Sequence, residues 1–352
     1  LICNVGSTSL KYQLFRMPEE LVLASGGVER VGAGDGRFYA KTHKNGALTD
    51  ESAVFPTHRE AIARMLRQLT VLPDLAALDC VGFKVVLAKG VSGVQYLTDD
   101  VLSSMEAFSS IAPAHNPPYL AAIRQFRALL PGTPLIGAFE TAFHRTMPPE
   151  AYYYSIPIEI SRNYDIRRNG FHGASIEYMT EWTQERMERE DLKLVVCHLG
   201  GSGSICAVKN GKSLDTSLGL TLQCGTMHNN RCGDIDPYII FYLVESCGMT
   251  LEEVKQMLQT RSGLYGMSGG AGRDLRDVQA AAEAGNEDAE LAIRAYCYSI
   301  KKYSSEKKQD PETGEWMHER IILYPLNPDY QPIEIRDEEG FIVVGEFIGI
   351  VK

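Results

Sequence analysis

The 352-residue sequence lacks several features that membrane proteins and nucleic-acid-binding proteins need. No apolar run approaches the roughly 18 residues of a membrane-spanning helix, so we expect no membrane partner. Positive charge is scarce: 35 Lys and Arg stand against 45 Asp and Glu, and the net charge of −10 argues against non-specific binding to nucleic acid. A small anionic ligand fits this balance, because a few local cations can oppose the global sign.

The sequence also lacks closely spaced cysteine pairs. The eight cysteines show neither a CxxC pair nor the spacing of a metal site, and several lie inside apolar runs. This distribution predicts buried free thiols and a reducing, cytoplasmic location. No charged segment precedes the apolar residues that follow Leu1, so we expect a slightly truncated mature start rather than a signal peptide.

The hydrophobic pattern alternates between strand-like and helix-like segments. Short apolar runs separated by turn residues predict an antiparallel meander at the start, whereas "HREAIARMLRQLTVL" has helical spacing. Such alternation is typical of an α/β protein. The length exceeds what one core usually supports, and an irregular segment near residue 150 separates two blocks. We predict a first domain over 1–148, a second over 149–303, and a linker with a β-rich tail over 304–352.

Two segments share the arrangement of strand, glycine-containing turn and strand. Cys3-x-x-Gly6 in "ICNVGSTSLKYQLF" is repeated 194 positions later as Cys197-x-x-Gly200 in "VVCHLGGSGSICAV". Two such hairpins can arise by chance in a chain of this length, and internal duplication is the alternative. Duplication predicts two related domains with a cleft between them.

The first of these turns suits phosphate oxygens. Glycine lets the backbone approach a ligand, while Ser7, Ser9 and Lys11 add hydroxyls and a positive charge. It is neither a Walker loop nor a GxGxxG loop, because a strand follows it instead of a helix. Taken alone, a hairpin turn with a solvated lysine is the simpler interpretation.

Other polar residues stand in loops and at strand ends. Arg231 in "NNRCGDIDP" requires an anionic partner, either the aspartate three residues later or a substrate. His172 in "RRNGFHG" can donate to a phosphoryl oxygen, although a lone histidine is more often structural. Glu140 follows a predicted strand, where open α/β sheets bind ligands. In "GMSGGAGRDLRD", Asp274 and Arg276 either hold a ribose or phosphate, or Asp274 caps a helix.

The segments "CNVGSTSLKYQLF", "APAHNPPY", "FETAFHRTMP", "GFHGAS", "RCGDIDP" and "SGLYGMSGG" occur in one order and spacing over about residues 1–303. In this they resemble the acetate kinase family, short-chain carboxylate kinases of the actin-like ATPase superfamily. The resemblance implies a duplicated two-domain α/β fold of the ribonuclease H-like type, an interdomain cleft and a homodimer. It also implies Mg²⁺-dependent transfer of the γ-phosphate of ATP to acetate or propionate, giving ADP and an acyl phosphate.

The resemblance carries residue roles over by position. The implied catalytic residues are Glu140, His172 and Arg231. The implied substrate-binding residues are Lys84, Val86, Ala114, His115, Phe171 and Leu222. The implied nucleotide- and phosphate-binding residues are Ser7, Ser9, Lys11, His198, Leu199, Gly200, Gly201, Ser202, Asp274, Leu275 and Arg276. Asn4 matches the asparagine that the family associates with magnesium.

Some positions differ from the family pattern. Lys84 stands where the family usually has an arginine, and Glu140 stands where it has an aspartate, so the chemical type is kept. After residue 303 the family's "GIGEN" adenosine loop and a later metal-binding glutamate are not found. The alternative function is therefore a nucleotide- or acyl-phosphate-binding protein whose catalysis is impaired.

Overall fold

The structure, a computed structural model, describes residues 1–303 with three gaps, together with four short strands beyond them. The gaps are Ser7, Lys44 with Asn45, and Ala114. Two predicted site residues, Ser7 and Ala114, therefore lie outside the described residues. The chain divides into two compact units, Leu1–Ala142 and Phe143–Lys352. The domain limits and the interdomain cleft expected from the sequence stay predictions.

One mixed sheet of eight strands forms the first unit. Its strands are β1 (Ile2–Val5), β2 (Ser9–Arg16), β3 (Leu21–Glu29), β4 (Arg37–Thr42), β5 (Leu48–Ser52), β6 (Val81–Val85), β7 (Val94–Tyr96) and β8 (Leu135–Phe139). They lie in the order β5-β4-β3-β2-β1-β6-β8-β7. β1 to β3 form the antiparallel meander predicted at the start of the chain, and β4 and β5 extend it. β1, β6 and β8 run parallel, so their carboxyl ends share one edge.

Three helices accompany this sheet. They are α1 (His58–Gln68), α2 (Asp99–Ala107) and α3 (Asn116–Leu129), and a 3-10 helix spans Leu75–Ala77. α1 confirms the helical spacing read in the sequence: Thr57 caps its first turn by accepting from the Arg59 N–H, and Ile62 and Met65 are fully buried. Phe83 of β6 meets Phe126 of α3 edge to face, with ring centroids 5.1 Å apart. The first core therefore lies between these helices and the sheet.

The second unit has a three-stranded antiparallel sheet in the order β11-β10-β9. Its strands are β9 (Lys193–Leu199), β10 (Gly203–Lys209) and β11 (Lys212–Thr216). Its helices are α4 (Pro149–Tyr152), α5 (Ile158–Tyr164), α6 (Gly173–Met187), α7 (Tyr238–Glu245), α8 (Leu251–Thr260), α9 (Gly263–Met267), α10 (Leu275–Glu283) and α11 (Glu287–Tyr303), with a 3-10 helix at Phe143–Thr146. Four short strands follow: β12 (Lys308–Gln309), β13 (Trp316–Met317), β14 (Ile321–Leu323) and β15 (Ile333–Ile335). Among the described residues, no helix is both long and apolar enough to cross a membrane.

The two glycine turns join hairpins of the same topology. In the first, Val5 of β1 pairs with Leu10 of β2. In the second, Leu199 of β9 pairs with Gly203 of β10. A third strand then pairs with the second in both units, β3 with β2 and β11 with β10. This repeated arrangement is what internal duplication predicts.

The cysteines are free thiols, as the sequence predicted. Cys3 and Cys206 are buried in strands of the two sheets. The expectation that the thiols are buried is wrong for Cys247 and Cys297, which are exposed. Cys247 follows the end of α7 and Cys297 lies on α11, two helices with few buried positions, so apolar neighbours in sequence did not imply burial.

Candidate active site

Polar side chains gather where the parallel strands of the first sheet end. Asn4 lies on β1, Lys84 on β6 and Glu140 directly after β8. The Tyr119 hydroxyl of α3 donates a hydrogen bond to Asn4 Oδ1 over 2.9 Å. Lys84 Nζ forms an ion pair with the Glu140 carboxylate. The sheet order thus brings three predicted site residues to one edge, as expected for ligand sites of open α/β sheets.

The Glu140 carboxylate is almost completely buried. Its side chain is 7% exposed, whereas that of Lys84 is 48% exposed, so the lysine can also contact solvent or a ligand. The Glu140 N–H donates to the Val85 carbonyl over 2.9 Å, which fixes the residue at the end of its strand. Burial raises the pKa of Tyr119 above its ordinary value, and the Glu140 carboxylate raises it further. Tyr119 therefore stays a protonated donor to Asn4.

The first glycine turn lies beside this cluster. Asn4 and Lys11 are directly paired across the hairpin, so their side chains stand on the same face of the sheet. The Gly6 N–H donates to the Ser9 carbonyl over 2.8 Å and closes the turn. A cavity of about 540 Å³ is lined in part by Asn4 and Lys11. Lys11, a predicted phosphate-side residue, is thus next to the predicted metal-side asparagine.

Two further substrate predictions lie near the same strand ends. Val86 is buried directly after β6. His115 immediately precedes α3, whose first residue, Asn116, is fully buried and donates from Nδ2 to the carbonyls of Leu87 and Met105, both over 2.8 Å. These bonds fasten the start of α3 to the segment that follows β6. Val86 and His115 are therefore held on segments that are joined to each other.

In the second unit, His172 and His198 stack on each other. Their ring centroids are 4.1 Å apart and the planes differ by 15°. His172 precedes α6 with a left-handed φ of +59°, and its Nδ1 lies 2.8 Å from Ser204 Oγ. His198 is the last residue but one of β9, and its Nδ1 lies 2.9 Å from Ser175 Oγ. The structure thus brings together one predicted catalytic residue and one predicted nucleotide-binding residue.

A buried histidine fixes the segment that carries His172. His144 is 1% exposed, and its Nε2–H donates to the Phe171 carbonyl over 3.0 Å while Nδ1 accepts from the Ser213 hydroxyl over 2.9 Å. Burial lowers the pKa of His144 to about 4. Gly170, with φ of +72°, passes so close that a Cβ there would lie 2.5 Å from the ring. Phe171, itself buried, and His172 are therefore held by a neutral imidazole.

The second glycine turn and the Arg231 loop contain polar atoms that lack partners. Gly200 N–H donates to the Ser202 carbonyl over 3.2 Å. Ser202 Oγ, Thr226 Oγ1 and Arg231 Nε are buried and have no hydrogen-bond partner within the described residues. The Asp234 carboxylate, the alternative partner for Arg231, instead accepts from the Gly225 N–H over 2.8 Å. Buried polar atoms are nearly always paired, so these three atoms are available to a bound ligand or an ordered water.

Arg231 has the properties of an anion-binding residue. Within the described part of the chain no carboxylate forms an ion pair with it. Burial lowers the pKa of its guanidinium below the ordinary value, yet arginine stays charged in proteins. A partly desolvated charge without a counter-ion is unfavourable, and an incoming phosphate or carboxylate relieves that cost.

The remaining predicted residues are placed differently. Asp274 caps α10 by accepting from the Arg276 N–H over 2.9 Å, which confirms the helix-cap interpretation. The Arg276 guanidinium holds the same carboxylate at 2.9 and 2.6 Å and lowers its pKa, so their side chains bond to each other at the surface. Leu275 is the first residue of the helix. Leu222 is buried.

Comparison with known proteins is decisive for the family. The acetokinase family profile matches residues 1–310. The acetate kinase of Bacillus subtilis is 42% identical over 306 residues, which cover 85% of this chain and 77% of that protein. The acetate kinase of Geobacillus kaustophilus is 42% identical over 309 residues, covering 86% and 77%. This chain belongs to the acetokinase family.

Solved structures of this family have the same fold. The acetate kinase of Porphyromonas gingivalis superposes with a TM-score of 0.75 at 35% identity, covering 86% of this chain and 77% of that one. A propionate kinase from Francisella tularensis gives 0.78 at 30% identity, covering 86% and 78%. The predicted α/β fold of the actin-like ATPase type is therefore confirmed.

Sequence reasoning missed two residues that form hydrogen bonds beside the predicted site residues. The Tyr119 hydroxyl donates to Asn4, and its ring is buried on α3. In the sequence, only the position of Tyr119 on the apolar face of that helix could have indicated this role. His228 is 1% exposed and bonds both to the second glycine turn and to the Arg231 loop. Its one signal in the sequence was an isolated histidine three residues before Arg231.

Proposed function

We propose that the chain catalyses Mg²⁺-dependent transfer of the γ-phosphoryl group of ATP to the carboxylate of acetate or propionate. The observation that carries this proposal is the buried Arg231 Nε without a partner among the described residues, beside a glycine turn whose Ser202 hydroxyl is also unpaired. Membership of the acetokinase family supports the reaction type. A propionate kinase among the structural relatives supports acceptance of the longer acid.

The reaction needs positioned reactants and positive charge more than covalent help. A carboxylate oxygen of the acid attacks the γ-phosphorus in line, the bond from that phosphorus to the β,γ-bridging oxygen breaks, and ADP leaves with its electron pair. The products are an acyl phosphate and ADP, and the step is reversible. No proton has to be removed from a carboxylate nucleophile, so the residues act by binding and orientation.

Residues of the second unit would stabilise the transferring group. Arg231 and His172 would contact its equatorial oxygens, where negative charge is spread in the transition state. The glycine turn of residues 200–202 has backbone N–H groups that suit the nucleotide phosphates, with His198 and Leu199 leading into it. Asp274, Leu275 and Arg276 would contact the nucleoside at the start of α10, which requires their exposed ion pair to open.

Residues of the first unit would serve the metal and the carboxylate. Oxygen donors are what Mg²⁺ prefers, and it is often held by one or two protein oxygens together with substrate phosphates and waters. Asn4 and Glu140 carry such oxygens, so they would hold an ion that enters with the nucleotide phosphates. When bound, Mg²⁺ neutralises charge on the phosphates. Lys11 and Ser9 would support phosphate binding, and Lys84 would contact the acid.

The acyl group would meet apolar side chains. Val86, Phe171 and Leu222 are all buried, and Ala114, which lies outside the described residues, is predicted with them; His115 stands beside it in sequence. One methylene more or less in an apolar pocket is expected to change the free energy of transition-state binding by about 1–3 kcal/mol. We therefore propose acetate and propionate as alternative substrates rather than longer acids.

The predicted homodimer stays part of the proposal. α7 presents Tyr238, Phe241 and Tyr242 to solvent, with 75%, 52% and 64% exposure. An apolar surface of this kind supports contact with a second copy of the chain. Sedimentation equilibrium of the parent and of Tyr242→Glu tests it: an unchanged monomer in both would contradict the homodimer.

A coupled assay of ADP formation tests the function. With ATP and Mg²⁺, ADP release is expected only when acetate or propionate is added, and hydroxylamine should trap the acyl phosphate. Arg231→Ala should remove that activity, whereas Arg261→Ala, at the exposed end of α8, is the matched control and should keep it. ATP binding without turnover in the parent chain would refute the kinase proposal and favour the nucleotide-binding alternative.

A further inference from the structure

Two hydrogen bonds, each donated by a backbone N–H group, join the second glycine turn to the loop that carries Arg231. The Gly203 N–H donates to His228 Nδ1 over 3.1 Å, in a buried position. The Asn229 N–H donates to the Gly201 carbonyl, also over 3.1 Å. His228 and Asn229 are adjacent residues of the loop. Their partners are Gly201, within the turn of residues 200–202, and Gly203, which directly follows it. The proposed phosphate contacts are thus fastened to the segment of the proposed transition-state arginine.

The hydrogen bonds of the His228 ring require one protonation state. Its Nδ1 accepts from an N–H, so the ring proton must lie on Nε2, which donates to the Cys224 carbonyl over 3.1 Å. The ring is 1% exposed. Burial, and then the charge of Arg231, lower its pKa to about 4. Near neutral pH the imidazole is therefore neutral and spans from the turn to the beginning of the loop.

The surroundings leave little room for another arrangement. A Cβ at Gly203 would lie 2.9 Å from Thr226 Oγ1, and a Cβ at Gly201 would lie 3.1 Å from Asn229 Nδ2. On the other side, the His228 carbonyl accepts from the Leu264 N–H of α9 over 2.9 Å. The histidine is therefore held by its own backbone while its ring holds the turn.

We propose that His228 is a positioning residue for phosphate binding, which fixes the glycine turn relative to Arg231 through the bond from Gly203 N–H to Nδ1. This inference rests on the proposed function, since it assigns the turn to the nucleotide phosphates. Hydrogen-bond donors that are already in place do not have to be ordered when the ligand binds. Without the bond, the turn would have to be ordered by the nucleotide, and nucleotide affinity would fall.

Two substitutions separate this role from packing. The amide of asparagine reaches about as far as Nδ1, whereas that of glutamine reaches about as far as Nε2. His228→Asn therefore keeps the acceptor for Gly203, and His228→Gln keeps the donor to the Cys224 carbonyl but loses that acceptor. We expect His228→Gln to raise the KM and Kd for ATP about tenfold with a smaller change in kcat, and His228→Asn to stay within about threefold of the parent.

Amide hydrogen exchange of the peptide covering residues 198–206, in the full chain without ligand, provides a readout that needs no activity. Faster exchange in the glutamine variant than in the asparagine variant is expected. A purely structural role predicts similar losses of thermal stability in both variants and no difference between them in KM, Kd or exchange. Equal values for the two variants would overturn the proposal. If the parent chain is inactive but exchange is still faster in the glutamine variant than in the asparagine variant, the kinase function is refuted and the positioning of the turn is not.

Discussion

Acid should destabilise the second unit through two buried histidines. His144 and His228 each have a pKa of about 4 in the folded protein, against an ordinary value of 6.5. Between these values the unfolded chain binds protons that the folded chain does not. The free energy of unfolding is therefore unaffected by these rings above about pH 6.5, falls as the pH drops, and stops falling below about pH 4.

The magnitude follows from the size of the two shifts. At pH 5 an unfolded histidine is almost fully protonated, whereas a ring with a pKa of about 4 is mostly neutral. Each unit of difference is worth ~1.4 kcal/mol, so each histidine should remove about 2 kcal/mol of stability between pH 7 and pH 5. His144→Gln, which keeps a donor for the Phe171 carbonyl, should remove about half of the combined effect.

Urea unfolding, followed by the fluorescence of Trp182 in α6 in a Trp316→Phe background, measures the free energy of unfolding at pH 5, 6 and 7. His43→Gln, a substitution of an exposed histidine, is the matched control for replacing a histidine by glutamine. Carboxylates titrate in the same range, so the difference between parent and variant is the quantity to compare. An identical pH dependence in the parent and in His144→Gln would refute the reasoning.

Three other substitutions test the site and its support. Arg231→Ala should lower turnover by about 10³-fold or more while ATP still binds, because the group acts on the transition state; a change below tenfold would contradict this. Glu140→Asp withdraws the carboxylate from Lys84 by one methylene and should lower turnover, and Lys84→Arg in that background should recover part of it; additive effects would show that the ion pair has no role. Gly170→Ala places a Cβ against a buried histidine ring and should cost about 1–3 kcal/mol beyond Gly285→Ala, a left-handed glycine in open space, when urea unfolding is compared.

Local pattern was sufficient for much of the fold. The hairpin around "GSTSLK", the repeat at "CHLGGSGS" and the helix of residues 58–68 follow from turn residues and apolar spacing, and the structure contains each of them. The segment motifs were also sufficient for the family, because so many of them occur in one order. Burial of individual thiols was less predictable, as Cys247 and Cys297 show, since apolar neighbours in sequence do not decide which face of a helix meets solvent.

Side-chain partners were decided only by the tertiary structure. The sequence by itself determined which residue types were present: a lysine, a glutamate after a strand, a glycine turn and an arginine loop. It could not pair Lys84 with Glu140, or fix the partner of Asn4, because these contacts depend on the order β1-β6-β8 and on how α3 lies on it. Nor could it show that His228 bonds to Gly203, since a hydrogen bond needs two atoms within about 3 Å and that distance exists only once the chain has folded.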